Sequence, residues 1–174
     1  QSYPEPRVLD VGCGAERIGE FVLQAGASRY LGVDFSEPMV ELARDRLERF
    51  GDRVELQVAD FLTTPLEPPF EVILALGLFD YVAEPHRFTR LMFELCAPGG
   101  CVVSSFPAWS LIKGPVRKVR YELIGHCPIF NYTRRELEMM FGASGFSEVE
   151  ITSPGRSGFL TKAYRDPAAV SRRT

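Results

Sequence analysis

Short apolar runs alternate with segments of helical periodicity through the first 106 residues, and this alternation constrains the fold more than any other feature. The segments between the runs place apolar residues three and four positions apart, and they predict helices that bury one face; Phe21 is one of the residues predicted to face the sheet. Strands that alternate with helices form a parallel sheet with helices on both faces. The strand-like runs are RVLDV (7–11), YLGVDF (30–35), RVELQVADF (53–61), FEVILALG (70–77) and CVVSSF (101–106).

The pattern changes after residue 106. Residues 107–132 form an insertion that contains Pro, Gly, Lys and Arg and has no clear period, and Thr133 and Glu136 then have the spacing of a capping box that begins a helix. The runs FSEVEIT (146–152) and GFLTKAYR (158–165) are predicted to pair as an antiparallel edge hairpin. We expect one domain over residues 1–174, with a frayed tail at 166–174.

The composition excludes several classes of protein. No apolar run approaches the roughly 20 residues of a membrane span, and the start has no signal-peptide pattern. The net charge of −3 disfavours a nucleic-acid-binding protein. The cysteines form no CxxC pair and the chain has only two histidines, so we expect no metal site and reduced thiols in a cytoplasmic protein. The four cysteines are Cys13, Cys96, Cys101 and Cys127.

The glycine-rich turn in VLDVGCG (8–14) follows the first strand and lets the backbone come close to a ligand. A dinucleotide pyrophosphate is one ligand for such a turn. Two features disfavour it here, because Asp10 places a negative charge near the strand end and Arg17 stands where the dinucleotide motif has its third glycine. A carboxylate at this place suits a cationic ligand instead.

Acidic residues also end the second and third strands. Asp34 stands 20 residues after Gly14 and can accept hydrogen bonds from both hydroxyls of a ribose. Asp60 can accept from an exocyclic amine, and the adjacent Phe61 can flank a base. Because the carboxyl ends of parallel strands lie at one edge of the sheet, these groups predict a pocket for an adenosine with a positively charged tail.

Five segments follow one another along the chain: VLDVGCGAERIGEF, LGVDFSEPMVELAR, VADF, FEVILALGLFDYV and LCAPGGCVVSSFP. In order and spacing they resemble the successive motifs of class I S-adenosylmethionine-dependent methyltransferases, and the resemblance extends from residue 7 to about residue 165. It implies a Rossmann-like, doubly wound α/β fold with a mostly parallel seven-stranded sheet and an antiparallel C-terminal edge hairpin. It also implies that S-adenosylmethionine is the cofactor and that the chain is a single methyltransferase domain.

The resemblance also implies roles for individual residues. Asp10 and the Gly12–Gly14 turn would shape the site for the methionine end of the cofactor, and Asp34 would hold the ribose. Asp60 would bind the adenine amine, and the backbone carbonyl of Leu76 would meet the ammonium group. The full set of expected cofactor-binding residues is Asp10, Gly12, Cys13, Gly14, Asp34, Phe35, Asp60, Phe61 and Leu76.

The methyl acceptor is expected to be a small molecule. The stretch LGLFDYV (76–82) stands where enzymes that methylate the amino groups of nucleic-acid bases or of protein glutamine have an Asn/Asp-Pro-Pro-Tyr/Phe motif. Residues 111–135, within and just after the substrate-side insertion, carry a local charge of +5 among aromatic residues. This mixture fits an apolar acceptor with an acidic group, or else a solvated cover. The catalytic residue is unknown, and His126, Asp80 and Tyr81 are the candidates.

One residue and one missing segment motivate an alternative, a non-catalytic member of the fold that acts as a binding or partner subunit. Glu16 stands where the family has glycine, and it either opens the following helix favourably or weakens cofactor binding. The family commonly closes its pocket with a helical segment before the first strand, whereas six residues precede Arg7 here. We expect that this lid was cut away or is supplied by a partner. The oligomeric state does not follow from the sequence.

Overall fold

A central sheet organises the protein in the computed structural model, which describes residues 3–15, 18–107, 130–153 and 158–168. Seven strands are found in these residues: β1 Arg7–Val11, β2 Arg29–Asp34, β3 Val54–Val58, β4 Phe70–Ala75, β5 Cys96–Pro107, β6 Glu148–Thr152 and β7 Gly158–Tyr164. They lie side by side in the order β3-β2-β1-β4-β5-β7-β6. The chain therefore builds the sheet outward from β1 to β3, and then crosses back to place β4 on the other side of β1.

The pairing of the strands is mostly parallel. β1 pairs in parallel with β2 and β4, and the pairs β2–β3 and β4–β5 are also parallel. β7 alone among the described strands runs in the opposite direction to the other six, and it lies between β5 and β6. This arrangement confirms the doubly wound, mostly parallel seven-stranded sheet and the antiparallel C-terminal hairpin.

Four α-helices lie within the described residues, α1 Ile18–Gln24, α2 Glu37–Leu47, α3 Pro85–Leu95 and α4 Arg134–Ser144, and a 3₁₀ helix spans Glu48–Arg53. Successive residues of β1 face opposite sides of the sheet, as the pleat requires. Val8 belongs to a buried cluster with Leu23 of α1 and Leu47 of α2, whereas Leu9 belongs to a cluster with Phe141 of α4. Helices thus cover both faces, as predicted. None of the helices among the described residues has the length and hydropathy needed to cross a membrane.

Two details of the elements differ from the sequence prediction. α1 begins at Ile18 and buries Gly19 and Leu23, so the helix turns Phe21 outward and leaves it 69% exposed. β5 begins at Cys96, five residues before the predicted strand, because Cys96 pairs with Phe70 at the start of β4.

The insertion and the tail are described only at their ends. Tyr132 rejoins the sheet, since its N–H donates to the Pro107 carbonyl at 3.0 Å. Ala168 N–H donates to Asp166 Oδ1 at 2.7 Å, so the beginning of the predicted tail is hydrogen-bonded. The rest of the insertion, with the candidate His126, lies outside the described residues, as do Cys127 and Glu16.

Candidate functional site

The glycine turn after β1 is held against the end of β2 by backbone hydrogen bonds. The N–H groups of Gly12 and Cys13 both donate to the Val33 carbonyl, at 2.8 and 3.2 Å. Gly12 and Gly14 have φ angles of 73° and 57°, in the left-handed region that glycine adopts without steric cost. A Cβ on Gly12 would also lie 3.0 Å from Leu78 Cδ1. Position 12 therefore favours glycine for its conformation, and a Cβ there would also crowd the Leu78 side chain.

Asp34 joins this turn to the beginning of α2. Its Oδ2 accepts a hydrogen bond from Gly14 N–H at 2.9 Å, and its Oδ1 accepts one from Ser36 N–H at 2.9 Å. A carboxylate offers about four acceptor positions, so two backbone donors leave capacity on both oxygens. Asp34 can hold the turn in place and still accept hydrogen bonds from the hydroxyl groups of a ligand.

A cleft of about 280 Å³ opens beside this carboxylate, at the carboxyl ends of β1, β2 and β3. Ligands of open α/β sheets bind at this edge, near the strand where the chain switches direction. The volume is near the lower limit of small-molecule pockets, which span about 300–1,000 Å³. The lining residues are Val11, Gly12, Val33, Asp34, Phe35, Ala59, Asp60, Phe61, Leu78 and Phe88.

Two phenylalanines line the cleft in different ways. Phe35 follows Asp34 directly and is 81% exposed. Phe61 is buried, and its ring centroid lies 5.5 Å from that of Phe88. Phe61 therefore supports the floor of the cleft, whereas Phe35 offers a free aromatic surface on which a base can stack. The sequence analysis names both phenylalanines as expected cofactor-binding residues, and both line the cleft.

Asp60 lies two residues beyond the end of β3 and is exposed. Its Oδ1 accepts a hydrogen bond from Leu62 N–H at 2.9 Å, which closes a local turn. Its Oδ2 has no hydrogen-bond partner in the part of the chain that the structure describes. One oxygen thus shapes the loop, and the other can accept a hydrogen bond from a ligand.

Asp10 lies beneath the turn and does not line the cleft. It is 3% exposed, and its Oδ2 accepts a hydrogen bond from the Tyr30 hydroxyl at 3.1 Å. A buried carboxylate needs such partners, because it has lost its water shell. This bond links β1 to β2 just before the turn.

A match to a known family decides how the cleft is interpreted. The methyltransferase domain family matches residues 8–100, more than half of the chain. The chain belongs to the class I S-adenosylmethionine-dependent methyltransferases. The matched residues include the glycine turn, Asp34, Asp60 and the loop after β4. This family uses S-adenosylmethionine as its cofactor.

Individual methyltransferases are also similar to this chain in sequence. The chain is 33% identical over 99 residues to a ubiquinone biosynthesis O-methyltransferase of Maricaulis maris. The matched region covers 56% of this chain and 39% of that protein. It spans about half or less of the length of the curated relatives that it matches.

Solved structures of this methyltransferase class share the fold. An S-adenosylmethionine-dependent methyltransferase from Mesorhizobium loti has a TM-score of 0.77 at 22% identity, over 93% of this chain and 92% of that one. Magnesium protoporphyrin IX methyltransferase from Synechocystis, with bound S-adenosylhomocysteine, has a TM-score of 0.74 at 21% identity, over 94% of this chain and 75% of that one.

The residues of the cleft are chemically compatible with the cofactor of the family. The turn at Gly12 allows a close backbone approach, Asp34 has free acceptor capacity, and Phe35 is an exposed ring beside an apolar cavity. Of the predicted cofactor-binding residues, Gly12, Asp34, Phe35, Asp60 and Phe61 line the cleft. Asp10, Cys13, Gly14 and Leu76 do not.

The candidate catalytic residues Asp80 and Tyr81 lie on the loop after β4 and do not line the cleft. The Asp80 backbone carbonyl accepts a hydrogen bond from Phe130 N–H at 3.1 Å, so the loop contacts the end of the insertion. Tyr132 donates to the Phe79 carbonyl at 3.3 Å. Burial first, and then the nearby Asp80 and Glu136 carboxylates, raise the pKa of Tyr132 to about 12. Tyr132 therefore stays protonated and does not act as a base near neutral pH.

Two contacts at the site were not predicted from the sequence. Tyr30 supports Asp10 from the neighbouring strand, and Ser105 Oγ accepts a hydrogen bond from Gly77 N–H at 2.7 Å. No local signal marks either pair, because the partners become neighbours only through the strand order. The glycine turn and the acidic strand ends, in contrast, carry their own local patterns.

A larger cavity, of about 460 Å³, lies at the opposite end of the strands. Arg7 and Arg29, at the starts of β1 and β2, line it together with Glu55 and Glu67. It is distant from the glycine turn and from the carboxyl ends of the strands, so the smaller cleft is the candidate site. Among the described residues, no group of three or more His, Cys, Asp or Glu side chains is arranged to hold a metal ion.

Proposed function

We propose that this protein transfers the methyl group of S-adenosylmethionine to a small-molecule acceptor. The observation that carries the proposal is the hydrogen bond of 2.9 Å from Gly14 N–H to Asp34 Oδ2 at the mouth of an apolar cleft. It brings a turn built for close backbone approach next to a carboxylate with free acceptor capacity. When bound, S-adenosylmethionine supplies a methyl group that its sulfonium already activates.

The residues of the cleft have separate tasks in this proposal. Asp34 accepts hydrogen bonds from the ribose hydroxyls, and Phe35 stacks on the adenine ring. The free Oδ2 of Asp60 accepts a hydrogen bond from the adenine amine. Gly12 lets the chain approach the methionine end, and the Leu76 carbonyl accepts from its ammonium group.

The chain promotes the reaction mainly by holding the acceptor in line with the methyl group. In the described part of the cleft lining, Asp34 and Asp60 are the titratable residues, and both already accept backbone hydrogen bonds. Orientation alone accounts for large rate gains in reactions between two bound partners. We therefore assign no general base among the described residues.

The acceptor is proposed to be apolar, with an acidic group. A cavity of about 270 Å³ between the beginnings of α3 and α4 has a mostly apolar lining that includes Phe130, Tyr132 and Met139. The names of the Maricaulis maris and Synechocystis relatives both refer to small molecules, and this supports a small acceptor. The positive charge of residues 111–135 supports an acidic group.

The test offers a set of candidate acceptors, each as the free acid and as its neutral ester, and measures the S-adenosylhomocysteine formed. The double variant Arg117→Gln/Arg120→Gln should raise the KM for acids, because each lost charged hydrogen bond is worth about 1.5–3 kcal/mol. KM for the esters should not change. The control is Arg87→Gln/Arg90→Gln, which removes two exposed arginines at the same spacing on α3.

Two outcomes would contradict parts of the proposal. If the parent and the double variant treat acids and esters alike, the acidic-acceptor proposal is wrong. If the protein binds S-adenosylhomocysteine but methylates no acceptor of any class, the alternative of a non-catalytic binding subunit replaces the proposed function.

A further inference from the structure

We propose that Ser105 is a positioning residue of the cofactor site, which turns the Leu76 carbonyl toward the glycine turn by holding the next N–H group. This inference rests on the proposed function. It adds a residue from β5, a strand to which the sequence assigned no role in the site.

The contact lies just beyond the regular part of the sheet. The last paired residues of β4 and β5 are Ala75 and Ser104. Two residues further along, Gly77 N–H donates to Ser105 Oγ at 2.7 Å. The serine side chain therefore takes the place of a backbone carbonyl at the point where the two strands separate.

The direction of the Leu76 carbonyl follows from the geometry of its peptide. In a trans peptide the carbonyl and the N–H of the following residue point in opposite directions. The cis peptide among the described residues is Pro68–Pro69, so the Leu76–Gly77 peptide is trans. Its N–H points to β5 at Ser105, and its carbonyl must point away from β5.

The side away from β5 is the side of the glycine turn, because β4 lies between β5 and β1 in the sheet. Leu78, on the same loop, brings its Cδ1 within 3.0 Å of the Cβ position of Gly12, which shows that the loop and the turn are neighbours. A Cβ on Gly77 would meet no atom within 4 Å, so there is open space beside this peptide.

A carbonyl in this direction presents a partial negative charge to the methionine end of the cofactor. The adenosine end already has the Asp34 and Asp60 carboxylates, whereas no described carboxylate lines the cleft on the side of the loop after β4. Donation from Gly77 N–H to Ser105 also polarises the peptide and makes its carbonyl a better acceptor. Ser105 therefore favours ligands that carry an ammonium group.

Ser104 provides a matched control on the same strand. It is fully buried, and its Oγ has no hydrogen-bond partner among the described residues. Ser104→Ala removes the same atom as Ser105→Ala, one position away, but it leaves the contact to Gly77 intact.

The experiment measures the affinities of two ligands by calorimetry, for the parent and for each variant. S-adenosylhomocysteine has the ammonium group, whereas 5′-methylthioadenosine has the nucleoside and the sulfur without it. We expect Ser105→Ala to weaken the binding of S-adenosylhomocysteine about tenfold, equivalent to about 1.4 kcal/mol. Binding of 5′-methylthioadenosine should stay within about twofold of the parent, since this ligand lacks the ammonium group that the Leu76 carbonyl would bind. Ser105→Thr, which keeps the hydroxyl, should show the same ratio of the two ligand affinities as the parent.

Several results would overturn the inference. Equal weakening of both ligands by Ser105→Ala, or the same loss with Ser104→Ala, would show that the hydroxyl supports only the fold. If Ser105→Ala does not fold, Ser105→Cys repeats the test, because a thiol has similar size but accepts hydrogen bonds weakly. Failure of the parent itself to bind S-adenosylhomocysteine would instead overturn the proposed function, and the inference with it.

Discussion

Asp34 shows how one residue can serve both the fold and the ligand. From the sequence alone, its removal is expected to weaken the binding of a ribose and to change stability little. The structure shows two backbone N–H groups, of Gly14 and Ser36, that depend on this carboxylate. We therefore expect Asp34→Ala to lower the free energy of unfolding by about 1.5–3 kcal/mol, as well as the affinity for S-adenosylhomocysteine.

Urea unfolding and calorimetry measure the two effects separately. Asp60→Ala is the control, since Asp60 lies in the same cleft but is exposed and its carboxylate accepts a single local N–H. It should cost less than about 1 kcal/mol of stability. Equal destabilisation by both variants would contradict the role of Asp34 in joining the turn to α2.

The two glycines of the turn form a second matched pair of residues. Both have positive φ, so an alanine at either position is strained by about 1–2 kcal/mol. At Gly14 a Cβ meets no atom within 4 Å, whereas at Gly12 it meets Leu78. Thermal unfolding should therefore rank Gly12→Ala as less stable than Gly14→Ala. If Gly14→Ala is the less stable variant, the Leu78 side chain does not restrict position 12.

At the scale of the elements, α4 depends on its first turn. Glu136 N–H donates to Thr133 Oγ1 at 3.3 Å, and Thr133 N–H donates to Glu136 Oε2 at 2.7 Å. The hydrogen bonds from the Thr133 side chain and backbone lower the pKa of Glu136. A carboxylate with a lowered pKa stabilises the fold above its unfolded pKa, and this contribution is lost as the pH falls through the lowered value.

The variant Glu136→Gln tests this pH dependence. It keeps an acceptor but removes the charge at the helix N-terminus, and because the side chain is exposed we expect a cost of only about 0.3–0.5 kcal/mol at neutral pH. In acid below the lowered pKa, the parent and the variant should unfold at the same urea concentration. Glu138→Gln, on the same helix without a cap contact, is the control. If the parent and Glu136→Gln still unfold at different urea concentrations in acid, the carboxylate charge is not the cause of the difference.

At the scale of the whole molecule, the cofactor should stabilise the fold that binds it. A ligand at about 100 times its dissociation constant adds about 2.7 kcal/mol to the free energy of unfolding. S-adenosylhomocysteine should therefore raise the Tm, whereas NAD and ATP should not, because their phosphates would lie near Asp34 and the buried Asp10. A rise with NAD alone would exclude a methyltransferase site in this cleft.

The sequence by itself determined the parts of this protein that depend on local pattern. Apolar runs that alternate with helical segments predicted the parallel sheet and its covered faces, because periods of two and 3.6 residues decide which side chains can be buried. The Gly12–Gly14 turn and the acidic residues Asp34 and Asp60 at the strand ends were predicted for the same reason, because adjacent residues determine the conformation of a turn.

Only the tertiary structure decided which of these residues meet. The placement of β7 between β5 and β6, the outward position of Phe21 and the contacts of Tyr30 and Ser105 all follow from the strand order and from how each helix lies on the sheet. Gly77 and Ser105 are 28 residues apart, and no local pattern joins them. Their contact exists because burial of the whole core sets β4 beside β5, and a hydrogen bond forms only between groups that the core has already brought together.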